Sequence, residues 1–171
     1  MKIFISETSV SGVPQYIYHQ TNINNAKEIL KTGFEYGAVL GKGENTFGIF
    51  FAPTHRGMKN TNYNRGITDK TAMVEVKTAG LNLFDTNSLK KNPLLPSYKQ
   101  DEYIMRQNIE AKGIFPKGYD GVIIRNQYEN NTIYEIILKK EKANNNITGR
   151  LLNQRGKVIN AVNETMLSDS Q

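Results

Sequence analysis

Hydrophobic positions along the chain change period several times, and each change marks an element. Tyr16-Ile17-Tyr18 is a short aromatic and β-branched run that predicts a strand. Ile23, Ala26, Ile29 and Leu30 then recur at helical spacing, which predicts a helix from Ile23 to about Thr32. Thr21 or Asn22 can cap its start, and Gly33 stands where a helix C-cap favours glycine. Residues 35–46, rich in glycine and polar groups, predict a loop. Residues 47–52 have the pattern of a buried strand stopped by Pro53. Ala72-Met73-Val74-Glu75-Val76-Lys77 alternates with period two, and residues 81–84 predict another short strand. A second helix is predicted from Tyr98 to Lys112, with Ser97 as cap, Tyr98, Met105 and Ile109 inward, and Gly113 beyond its end. Gly121-Val122-Ile123-Ile124-Arg125 and Thr132–Leu138 are the strongest strand runs, with the polar residues 126–131 joining them as a hairpin. Short strands interspersed with two helices define an α+β class with antiparallel sheet dominant.

A chain of 171 residues is the size of one ordinary domain and can bury a real core. Residues 1–140 are read as that single domain, and residues 141–171 as a polar C-terminal extension, partly packed. The extension opens on Asn144-Asn145-Asn146 and has few apolar anchors, among them Leu151, Leu152, Val158, Ile159 and Val162. Its last several residues are expected to be disordered.

The absence of cysteine rules out disulfides and thiolate metal sites. The two histidines, His19 and His55, form no His-x-x-x-His pair, so no metal is expected. No stretch approaches the roughly 20 apolar residues that span a bilayer, and the apolar run at the start is too short for a signal peptide. A cytoplasmic location is expected, in the cell of origin or after delivery into a host. The net charge of +6 favours acidic partners. The basic residues are scattered, however, in runs no longer than pairs such as Lys139-Lys140, which reads as solvated surface.

Three separated segments carry the candidate chemistry. In Ile133-Tyr134-Glu135-Ile136-Ile137-Leu138, strand alternation puts Glu135 on a face with Ile133 and Ile137, opposite Tyr134, Ile136 and Leu138. A carboxylate between such neighbours costs free energy unless it is ion-paired or opens onto a cleft. In Tyr18-His19-Gln20-Thr21, an imidazole at a strand end can donate to a hydroxyl, with Thr21 buttressing it or capping the helix. Gly48-Ile49-Phe50-Phe51-Ala52 supplies an aromatic wall. His55 sits in a loop and reads as solvated or as a secondary contact. Gly41-Lys42-Gly43-Glu44 lacks the Gly-Lys-Ser/Thr ending of a phosphate loop and reads as a loop bordering the cleft.

These segments, together with Tyr119-Asp120-Gly121-Val122-Ile123-Ile124, resemble the His-Tyr-Glu class of ADP-ribosyltransferases, the diphtheria toxin and poly(ADP-ribose) polymerase group, in its phage or bacterial form. The resemblance covers roughly residues 16–140. It implies a split β-sandwich of two mainly antiparallel sheets with flanking helices around an NAD cleft. His19 would contact the adenosine-side ribose, with Gln20 and Thr21 beside it. Phe50 and Tyr63 would sandwich nicotinamide, and Glu135 would be catalytic. Gln20 replaces the glycine that usually follows the histidine, and Phe50 replaces the tyrosine of the Gly-Ile-Tyr-Phe-Ala segment. The implied activity is NAD-dependent mono-ADP-ribosyl transfer to a macromolecule, protein favoured over nucleic acid. NAD glycohydrolysis and a non-catalytic binding module of the same fold are the alternatives. RNA 2′-phosphate transfer ranks low, because residues 16–25 contain no arginine or lysine.

Overall fold

In the computed structural model, residues 12–37, 46–57, 71–90, 98–126 and 131–159 are described. The apolar runs become strands β1 (Tyr16–Asn22), β2 (Ile49–Phe51), β3 (Thr71–Lys77), β4 (Leu83–Asp85), β5 (Gly121–Asn126), β6 (Thr132–Leu138) and β7 (Ile147–Leu152). Helices α1 (Ile23–Thr32), α2 (Tyr98–Lys112) and α3 (Lys140–Asn145) lie between them, with a 3-10 turn over Thr86–Lys90.

The strands form a three-stranded sheet in the order β1-β3-β7 and a four-stranded sheet in the order β2-β6-β5-β4. The one parallel pairing among these is β4 with β5, joined by a crossover that contains α2. The α+β class with mainly antiparallel sheet is therefore as expected. The sheets meet where Tyr18 and Ala52 exchange two main-chain hydrogen bonds, of 3.0 and 2.7 Å.

Side chains pack into two clusters. The larger draws Ile17, Val74, Val76 and Leu151 from the first sheet, Phe51, Ile123, Ile136 and Leu138 from the second, and Ala26 from α1. The smaller holds Ile109 of α2 over Val122, Ile124 and Ile137, flanked by Phe50, Met105, Phe115 and Tyr134. Strand β2 serves both, because alternation sends Ile49 and Phe51 to one cluster and Phe50 to the other.

Asn22 is the N-cap of α1, its Oδ1 accepting from the Asn25 N–H at 2.8 Å, while Thr21 stays in the strand opposite Ala72. The Gly33 N–H closes the helix on the Ile29 carbonyl. Residues of the polar extension enter the fold: β7 pairs with β3, and Ala143, Leu151 and Leu152 are buried. Apolar anchors, few as they are, suffice for one strand in a sheet. Several expectations fall outside the described residues: the Gly41–Glu44 loop, Tyr63, the Ser97 cap, most of the hairpin connection, Val162 and the disorder of the last residues.

One expectation is corrected. The pairing of β5 with β6 slips between Ile124 and Arg125, so that Ile124 faces Glu135 while Arg125 faces Ile133. This bulge interrupts the alternation. Ile133 consequently packs with the larger cluster, and Tyr134 joins Ile137 in the smaller one.

Two glycines explain local sequence choices. Gly48 has φ +95°, and a Cβ there would lie 2.8 Å from Ile137 Cγ2 and 3.1 Å from Ile109 Cγ2. Gly121 lets β5 pass the Ile137 carbonyl at a distance no Cβ would permit. Gly48→Ala should therefore cost about 2–4 kcal/mol, combining left-handed strain with overpacking. Urea unfolding checks this against Gly37→Ala, whose added methyl meets nothing within 4 Å. Equal midpoints for the two variants would contradict the packing described.

Candidate active site

Glu135 has no exposed surface. It lies on the side of β6 that α2 covers, with Ile109, Phe50 and Ile137 as neighbouring apolar packing. The Arg106 Nη2 of α2 stands 2.7 Å from its Oε1, and the Arg106 Nε also donates to Glu110 Oε1 at 3.1 Å. The approach to Glu135 pairs charges without hydrogen-bond alignment, since neither carboxylate oxygen accepts a directed hydrogen bond from the protein. Burial pushes the Glu135 carboxyl up; Arg106 pulls it back and Glu110 adds to the rise, leaving it at about 7. Burial pulls the guanidinium the other way, but the charges of Glu135 and Glu110 outweigh it and raise Arg106.

His19 is fixed by its Nδ1, 2.8 Å from the Phe50 carbonyl oxygen. A carbonyl only accepts, so Nδ1 carries the proton and Nε2 of the neutral ring is an acceptor. The ring meets Phe34 and Phe51 edge-on at centroid distances of 5.1 and 5.8 Å. Burial lowers its pKa, the carbonyl contact opposing the shift. With Nδ1 committed, the neutral His19 ring accepts a hydrogen bond at Nε2 rather than donating one, which reverses the direction expected from sequence.

The structure thus brings Phe50, Tyr134 and Glu135 to one side of the four-stranded sheet. His19 is tied to the backbone of the same Phe50, yet its ring packs with Phe34 and Phe51 of the larger cluster. Gln20 and Thr21 follow it in β1, opposite Met73 and Ala72, and the Gln20 Oε1 sits against Gly57, where a Cβ would collide with it. Tyr63 lies outside the described residues.

Besides Arg106, sequence reasoning missed two features. Glu75, read only as part of an alternating strand, is a second buried carboxylate. It accepts from Thr148 Oγ1 at 2.9 Å, faces Arg150 Nε at 3.4 Å and lies 3.4 Å from the Tyr18 hydroxyl. Its three partners mark it as a satisfied structural group, and the alternating Ala72–Lys77 pattern carried no signal for them. His55 is not loosely solvated. Its Nδ1 donates to the Gln154 carbonyl at 2.9 Å, and its ring stands edge-on to Tyr18. A cavity of about 390 Å³ opens there, lined by Tyr16, Tyr18, His55 and Arg56 among others, and separate from Glu135.

Among the described residues, no three His, Cys, Asp or Glu side chains gather as a metal site, and no helix is long and apolar enough to cross a membrane. No protein-family model, curated protein or solved structure matches the chain.

The Glu135 shift has a consequence for stability. Its folded pKa, about 7, exceeds the ordinary 4.5, so the neutral form is favoured by folding. That contribution is fully present below the unfolded pKa and is lost as pH rises through about 7. Glu135→Gln removes the titration. Its stability relative to wild type should rise by about 2–3 kcal/mol between pH 5 and pH 8, at 1.36 kcal/mol per pKa unit. Urea unfolding at both pH values measures this, and a pH-independent difference would contradict it.

Proposed function

We propose that the protein is an NAD-dependent mono-ADP-ribosyltransferase acting in a cytoplasmic compartment. It breaks the nicotinamide–ribose bond and passes ADP-ribose to a macromolecular acceptor, protein favoured. The observation that carries the reading is the Glu135 carboxylate: wholly buried, on one side of a sheet with the Phe50 and Tyr134 rings, and with no directed hydrogen bond from the protein. Burying such a group is costly unless it is paired and hydrogen-bonded, and Glu135 has only the ionic contact of Arg106.

Nicotinamide on ribose is a cationic leaving group and needs no general acid. What needs stabilising is the ribosyl cation, akin to the oxocarbenium-like transition state of glycosidases. An ionised carboxylate held in an apolar setting does this strongly. When the acceptor nucleophile bonds to the ribose carbon, nicotinamide departs and the nucleophile's proton passes to Glu135 or to water. Phe50 offers a ring for nicotinamide to stack on. The His19 ring packs with Phe34 and Phe51 on the other side of β2, so a ribose hydroxyl bound at its Nε2 is one remote from Glu135.

A second reading, a non-catalytic binding module of the same fold, is favoured by one observation: Arg106 already pairs with Glu135. On that reading the pair anchors α2 and no substrate reaches the carboxylate.

Incubation with labelled NAD and a cell lysate separates the two. Transfer of label to protein is expected, falling at least a hundredfold in Glu135→Ala and about tenfold in His19→Ala. Nicotinamide release should rise with pH through about 7 as Glu135 ionises. If wild type neither transfers label nor releases nicotinamide, the binding-module reading stands instead.

A further inference from the structure

We propose that Arg106, a residue of α2 outside all the segments that carry the enzymatic resemblance, is the positioning residue of Glu135: it aims the carboxylate and keeps it charged for the reaction. This rests on the transferase reading above.

Among the described residues, the groups facing Glu135 are few. From α2 come the guanidinium of Arg106 and the carboxylate of Glu110, the two charges that bear on it. From β5 the facing residue is Ile124, with Val122 further along, and from β2 the ring of Phe50, none of them titratable. Tyr134 is the remaining titratable neighbour, on β6 itself, next to Glu135 because of the bulge. One guanidinium therefore balances two carboxylates by different nitrogens, Nη2 toward Glu135 at 2.7 Å and Nε toward Glu110 at 3.1 Å.

The arrangement is asymmetric in a useful way. The Arg106 side chain keeps 30% of its surface exposed while Glu135 keeps none, so the cation stays partly hydrated as it serves a dry anion. Its contact is with Oε1, and Oε2 has no hydrogen-bond partner of its own. A neutral carboxyl group cannot offset the charge of a ribosyl cation. Without Arg106, burial and Glu110 act unopposed, and Glu135 takes up a proton in the pH range where the enzyme works.

The test is the pH profile of nicotinamide release from NAD for four full-length proteins, with circular dichroism confirming the fold of each. In Arg106→Met the acid limb of kcat/KM is expected to move up by one pH unit or more. Activity at pH 7 then falls about tenfold and largely returns at pH 9. Arg106→Lys keeps a charge and shifts the limb less. Glu110→Gln, a change at a partly exposed position, moves it the other way, to lower pH. That last variant keeps the proposal falsifiable should Arg106→Met fail to fold. A wild type that is active, with variants whose limbs coincide with its own, overturns the role of Arg106 and leaves the transferase reading intact. A wild type that releases no nicotinamide between pH 5 and pH 9 overturns both.

Discussion

The two main-chain hydrogen bonds between Tyr18 and Ala52 join the sheets, and His19, Phe50 and Glu135 are placed by reference to that seam. One residue along β1, His19 reaches across to the Phe50 carbonyl. Two residues back along β2, the Phe50 ring faces the smaller cluster, while Phe51 between them fills the larger. On the far side of β2, its pairing with β6 sets Phe50 opposite Ile137 and so fixes where Glu135, two residues earlier, can lie. A three-residue strand thus relates the imidazole, the aromatic wall and the carboxylate, and Gly48 at its start has no room for a side chain.

Energetically, Glu135 is the buried carboxylate whose oxygens lack a hydrogen-bond partner among the described residues. The other buried carboxylate, Glu75, has a hydroxyl donor and an arginine at hand. Removing one partner from a buried pair commonly costs several kcal/mol, whereas replacing the whole pair by apolar groups is often neutral or better. A fold selected only for stability gains little from the Arg106–Glu135 pair. Chemistry at the site gives it a purpose: a dry carboxylate that ionises near neutral pH suits a cationic transition state.

Much of the fold was legible because its signals are local. The helical spacing of Ile23, Ala26, Ile29 and Leu30, the Asn22 cap and the hydrophobic runs of β5 and β6 each express a preference that tertiary packing reinforces. The face of Ile133 was misassigned because a bulge is set by pairing with another strand, and a single strand's alternation carries no trace of it. The part played by β7 was likewise obscure, since its polar surroundings masked a strand that only β3 completes. In the candidate site, Glu135 stood out as a charge among aliphatic residues. Arg106 did not, because on a helix of mixed polarity an arginine is ordinary until its partner on a distant strand is known. The direction of the His19 hydrogen bond depends on a carbonyl 31 residues away and lay equally beyond the sequence.

The most direct measurement is a crystal structure of the protein with NAD or a non-cleavable analogue. The account predicts the nicotinamide ring stacked on Phe50 and a ribose hydroxyl within hydrogen-bond distance of Glu135. A dinucleotide bound elsewhere, for instance against Tyr16 and His55, with Glu135 still closed off beneath α2, would contradict it.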